Sequence, residues 1–109
     1  MLLTRYTCDG TGMFHAIGAL VNKDMSVADE QDVFDAEEYF GIHLEVPDIF
    51  PISGKTKSYF TEEGLRAFEE QIDTIVFYLG MYLAPVSVEK KNYDGEVLYE
   101  DPYQVVLAA

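Results

Sequence analysis

Apolar residues at Leu65, Phe68, Ile72, Ile75, Val76, Leu79 and Leu83 fall three and four positions apart. That spacing predicts a helix packed along one face. Thr61 is suited to cap it, and Glu62 and Glu63 in its first turn complement the helix dipole. Nearer the start of the chain, Met13, Phe14, Ile17, Ala19, Leu20 and Val21 predict a short, mostly apolar helix, weakened at Gly18. Ser26 or Asp29 is placed to cap a second helix that runs to about Phe40 and ends at Gly41. Val33, Phe34, Ala36, Tyr39 and Phe40 would form its buried side.

The strands follow a different rhythm. Leu2 to Thr7 reads as a strand, closed by the turn Asp9-Gly10-Thr11-Gly12. Leu44 to Lys57 is loop-like, with Pro47, Pro51 and Gly54. After Pro85, Val86, Val88 and Lys90 alternate with Ser87, Glu89 and Lys91, and Asn92-Tyr93-Asp94-Gly95 predicts a hairpin turn leading into a strand from Glu96 to Glu100. Asp101-Pro102 interrupts that strand, and Tyr103 to Leu107 supplies another. The expectation is one α+β domain over residues 1–109, ordered β-α-α-loop-β-α-β-β-β, its antiparallel C-terminal strands packed on the long helix.

Composition changes the picture through charge. The net charge is −13, yet 49% of residues are hydrophobic, with eight Tyr and seven Phe, so the acidity belongs to a folded chain rather than a disordered one. Between Lys23 and Lys55 stand nine carboxylates and no basic residue, six of them from Asp29 to Glu38. A helix there would carry a charge roughly every 2.5 Å of its axis, at least as dense as the phosphates of a nucleic-acid strand. Such a surface repels nucleic acid and anionic membranes and attracts basic partners. The plainer alternative is that the charge serves only solubility. Cys8 is the sole cysteine, which suggests a reducing compartment. The opening residues do not read as a signal peptide and no apolar run is long enough to span a bilayer, so a cytoplasmic protein is expected.

Local chemistry is sparse. His15 and His43 are the only histidines, and no spacing joins them with Cys8 or Asp9 as metal ligands. The Asp9 turn lacks the lysine and spacing of a phosphate-binding loop.

Three segments carry a resemblance. Leu2-Leu3-Thr4-Arg5-Tyr6-Thr7 with the Gly12-to-Leu20 segment, then Ser58-Tyr59-Phe60-Thr61, then Glu96-Val97-Leu98-Tyr99-Glu100 with Gln104-Val105, together resemble the blocks of ADP-ribosyltransferases. The resemblance implies that Arg5 orients NAD, Tyr59 stacks on nicotinamide and Glu96 is the catalytic carboxylate that stabilises the oxocarbenium-like ribose. The same segments also read as an edge strand, a loop-to-helix junction and a hairpin without chemistry.

The first functional expectation is a non-enzymatic binding protein that needs no cofactor. In size and charge it resembles small acidic inhibitors of phages and mobile elements, of the anti-CRISPR or DNA-mimic type. Its partner would be a protein with a basic, nucleic-acid-binding surface, contacted by Asp29, Glu30, Asp32, Asp35, Glu37 and Glu38, with Tyr39 and Phe40 as anchors. Unrelieved repulsion along that run favours a binding role. The alternatives are a minimal ADP-ribosyltransferase-like enzyme using NAD, and a structural or oligomerising domain, for instance a homodimer.

Overall fold

A computed structural model describes residues 2–20, 23–46, 56–92 and 96–108. They form an α+β arrangement of helices layered on an antiparallel sheet. In chain order the elements are β1 (Leu2–Cys8), β2 (Thr11–Gly12), α1 (Met13–Leu20), α2 (Val27–His43), β3 (Thr56–Phe60), α3 (Glu62–Ala67), α4 (Glu69–Tyr82), β4 (Val86–Asn92), β5 (Val97–Glu100) and β6 (Gln104–Ala108). β1 is central. β4 pairs along its whole length on one side, from Leu2↔Asn92 to Cys8↔Val86. On the other side lie β2 and β3, followed by β6 and then β5.

The turn between β1 and β2 decides the shape of the sheet. Asp9 and Gly10 both take positive φ, 51° and 77°, the requirement of a two-residue type I′ hairpin. The chain folds back at once, and Thr11 and Gly12 take the pairing positions beside Cys8 and Thr7. β3 therefore cannot zip along β1. It meets β1 at the single pair Thr4↔Phe60 and otherwise pairs with β6, from Thr56↔Ala108 to Phe60↔Gln104. The sheet is split at its centre.

The larger core lies between the sheet and the helices. It gathers Cys8, Met13, Ile17, Leu20, Val33, Phe40, Phe60, Phe68, Ile72, Ile75 and Leu79. Leu3, Tyr59, Val105 and Leu107 form a second buried cluster, made by strands alone, with Val97 against it. Asn92 and Val97 are only five positions apart, so these ends of the edge strands β4 and β5 lie within about 18 Å of each other.

Several expectations meet a different structure. The helix foreseen from Thr61 is two helices: at Phe68 the backbone leaves helical geometry (φ −117°, ψ 18°) and the ring enters an aromatic cluster with Phe40, Phe60 and Tyr103. Thr61 does cap the first piece, its Oγ1 accepting from the Gly64 N–H at 2.9 Å. α2 continues through Gly41 to His43, capped at its start by Ser26 Oγ, which accepts from the Asp29 N–H. The strands on either side of the foreseen hairpin do not pair with each other. β4 pairs with β1 and β5 with β6. Alternation identifies a strand but not its neighbour. Residues 93–95 of that turn lie outside the described residues, as do 47–55 of the long loop.

Candidate functional site

The split in the sheet opens a cleft of about 640 Å³. Among the described residues it is lined by Arg5 and Tyr6 of β1, the Gly10-to-Gly12 turn, Met13, Phe14 and His15 at the start of α1, and Thr56, Ser58 and Phe60 of β3. Arg5 is half-buried there. Gly12 makes room for its guanidinium, since a Cβ at that position would stand 3.2 Å from Nη2. Glu89, opposite Arg5 across the β1–β4 pair, instead accepts the Tyr59 hydroxyl hydrogen on Oε1 at 3.3 Å. Among the described residues no hydrogen bond or ion pair engages the Arg5 guanidinium, nor the Ser58 or Thr56 hydroxyls. In a chain with 20 Asp and Glu, this is a cation in a cleft with its five N–H donors uncommitted.

Burial raises the pKa of Tyr6, which follows Arg5 on β1 and points to the opposite, helix-covered face, with the nearby Asp73 charge adding to the shift. The phenol therefore stays neutral through the physiological range.

A second hollow of about 350 Å³ adjoins the cleft and shares Phe14 and Ser58 with it. Ile17, Phe40, Leu44 and Val46 give it an apolar character, and Glu37, Glu45 and Gln104 add polar groups. Gln104 is fixed, its Nε2 donating to the Glu45 carbonyl at 2.7 Å and to Asp101 Oδ2 at 3.1 Å. Partial enclosure raises the pKa of Glu37 above the ordinary glutamate value.

Of the three residues that the ADP-ribosyltransferase resemblance singles out, Arg5 and Tyr59 share one face of the sheet, with Tyr59 donating to Glu89 opposite Arg5, and Glu96 does not line the cleft. Arg5 lines the cleft. Tyr59 is only 2% exposed and faces the strand-only cluster. Glu96 is exposed just before β5, where its carbonyl accepts from the Ala108 N–H at 3.0 Å. Ser58 and Phe60, either side of Tyr59, are the β3 residues that reach the cleft. The period-two alternation of a strand was the signal for them: if Tyr59 points to one face, its neighbours point to the other.

The acidic run is divided by its surroundings. Asp32 Oδ2 accepts from the Tyr78 hydroxyl at 2.7 Å, and Asp29 Oδ2 accepts from the Tyr82 hydroxyl. Both phenols have raised pKa values because these hydrogen bonds hold their neutral form. Asp35 accepts from Gln31 on its own helix. Glu30 and Glu38 are exposed, and Glu37 borders the apolar hollow. Tyr39 lies at the surface with its ring 4.3 Å from that of His43. Phe40 is buried in the aromatic cluster, with only an edge bordering the hollow, and does not stand at the surface as an anchor. The apolar side chains that α2 does expose include Phe34 at 56% and Ile42 at 68%.

Cys8 is buried, and its Sγ donates to the Ala84 carbonyl. Among the described residues no three His, Cys, Asp or Glu side chains converge as metal ligands, and no helix is long and apolar enough to cross a membrane. No known protein family, curated protein or solved structure matches this chain.

Proposed function

We propose that this chain is an ADP-ribosyltransferase-like domain that binds NAD in the cleft between β1 and β3. The observation that carries the reading is Arg5, a half-buried guanidinium without a partner among the described residues of a strongly acidic chain. A planar fork of donors matches the oxygens of a pyrophosphate, and such charge-assisted bonds are stronger than neutral ones. The exposed part of the Phe14 ring is available to a nucleotide ring, and the Ser58 hydroxyl is available to a ribose. The cleft and the adjoining hollow are of the size usual for small-molecule sites.

Binding is the core of this reading, and turnover is slow or absent. The resemblance gives the catalytic carboxylate role to Glu96, which is not among the residues lining the cleft. Titration calorimetry with NAD tests the binding. Arg5→Ala should weaken it about 10- to 100-fold, the loss of one or two charge-assisted hydrogen bonds. Lys57→Ala, which removes an exposed cation from β3, should change it little. Equal effects of the two substitutions would reduce the role of Arg5 to its share of net charge. Nicotinamide release that vanishes in Glu96→Gln would restore the enzymatic form of the reading.

A second reading remains attached to α2, as an inhibitor that occupies the basic surface of a nucleic-acid-binding protein. Phe34 and Ile42, exposed on the same helix as Glu30 and Glu38, favour it, because apolar anchors among carboxylates suit a basic protein better than a solubilising face requires. Its mark is a bound basic protein released by salt and lost when Glu30→Gln, Phe34→Ala and Glu38→Gln are combined.

A further inference from the structure

Glu37, Phe40 and Gly41 share one side of α2 at i, i+3 and i+4, and Leu44, the residue that closes the helix, follows at i+7. They form a wall of the hollow beside the cleft. Phe14 of α1 and Ile17 form the facing wall. These rings are fixed before any ligand arrives: Phe14 packs edge-on to Phe40 at 5.0 Å, and Phe40 stacks on Phe68 at 5.1 Å. Gly41 narrows nothing, since a Cβ there would meet no atom within 4 Å.

Glu37 is the unexpected member of this wall. Asp29, Asp32 and Asp35 on the same helix all accept hydrogen bonds from side chains. Among the described residues the Glu37 carboxyl accepts none and forms no ion pair. Glu37 is exposed, and only the side of its carboxylate that borders the apolar hollow loses water without gaining a donor. Glu45 adds a second negative charge to the lining. An anionic ligand would be repelled from this corner. A neutral apolar ligand would leave Glu37 more poorly solvated still.

We propose that this hollow binds an organic cation with an apolar stem, a guanidinium or alkylammonium group on a short hydrocarbon chain, with Glu37 as its counter-charge. The stem packs against Ile17 and Leu44, the cationic head reaches Glu37, and the exposed part of the Phe14 ring is available for a cation–π contact. Partial desolvation raises the Glu37 pKa, and a cation bound beside the carboxylate would act in the opposite direction. Two sources offer this chemistry, a free amine and a basic side chain of another protein.

The experiment is an NMR titration without NAD, so that its outcome is independent of the Arg5 reading. Agmatine, a guanidinium and an ammonium joined by a four-carbon chain, is the probe, and N-butylurea is the control that keeps the chain and a planar head group while carrying no charge. Agmatine should shift the amide resonances of Phe14, Glu37, Phe40 and Leu44 saturably and bind at least tenfold more tightly than N-butylurea. Glu37→Gln should weaken agmatine at least tenfold, while Glu38→Gln, which removes the same charge from the neighbouring position, should change it less than twofold. Equal losses in the two variants would overturn the proposal, since the attraction would then belong to net charge. So would equal binding of the two probes to the unmodified protein, or no saturable shift at those residues. A Gly-Gly-Arg-Gly-Gly peptide that binds more tightly than agmatine assigns the site to a protein side chain, and the reverse order assigns it to a free amine.

Discussion

The cleft beside β1 and the face where α2 meets α4 hold opposite charges, and the fold treats them oppositely. On the helical face, where negative charge is dense, carboxylates find internal donors: Tyr78 serves Asp32, Tyr82 serves Asp29 and Gln31 serves Asp35. In the cleft a cation that could have paired with any of 20 acidic residues has no partner among the described residues. Count of charges therefore misleads as a guide to function here. The large negative total is partly structural, since the aspartates near α4 help hold two helices together. Among the described residues that line the cleft Arg5 is the one basic side chain with a fixed charge, and a half-buried charge left unpaired is costly unless something outside the chain pairs with it.

The comparison can be broken first through the core that supports the helical face. Ile75 is fully buried on α4, and Ile75→Asp should abolish cooperative folding, since an unpaired buried charge consumes much of a stability of about 5–15 kcal/mol. A cooperative thermal transition in that variant would show that α4 is not packed as described. Gly64→Ala comes next. A Cβ there would overlap the Tyr103 carbonyl, which also accepts the Thr61 N–H and so ties α3 to the turn before β6. We expect a loss of roughly 1–3 kcal/mol, with each kcal/mol lowering Tm by roughly 4–8 °C. An unchanged Tm would remove that contact from the account.

Smaller effects sharpen the role of the aspartates. The folded-state pKa values of Tyr78 and Tyr82 are raised above 10, so the stabilisation that goes with their neutral form is full below pH 10 and lost as pH rises further. Tyr78→Phe and Tyr82→Phe should each lower stability at pH 7 and flatten the decline in alkali. Glu30→Gln should do neither, and a similar loss in all three variants would make the tyrosine contacts incidental. Glu37→Gln is the smallest case and has the opposite sign. Its raised pKa contributes stability only at acid pH, and that contribution is lost as pH rises through the folded value, so the amide should be slightly more stable at pH 7. A denaturant melt that shows destabilisation would mean that Glu37 has an attractive partner inside the fold.

Sequence patterns revealed the elements better than their arrangement. The apolar stripe from Leu65 to Leu83 marks a helical region, but periodicity continues across Phe68 and hides the break there. The Asp9-Gly10 signal marks a turn, yet its consequence, a split between β1 and β3, depends on which strand arrives next to β1. That information is spread over residues far apart in the chain. Alternation in β3 could have separated Tyr59 from Ser58 and Phe60. The tyrosine partners of Asp29 and Asp32 were not legible, because they stand 53 and 46 residues away. Arg5 was singled out by resemblance. Its lack of a partner among the described residues is a property of three-dimensional packing.

The most direct test of that contrast measures NAD association against salt. NAD is an anion approaching a chain of net charge −13, so long-range repulsion should slow its arrival at low ionic strength, and screening should speed it. The account predicts an association rate that rises with salt in the unmodified protein, with amide shifts confined to Arg5, Gly12, Ser58, Phe60 and their neighbours, and with binding lost in Arg5→Ala. Shifts that fall instead on α2 and α4, or affinity for NAD unaffected by Arg5→Ala, would contradict it.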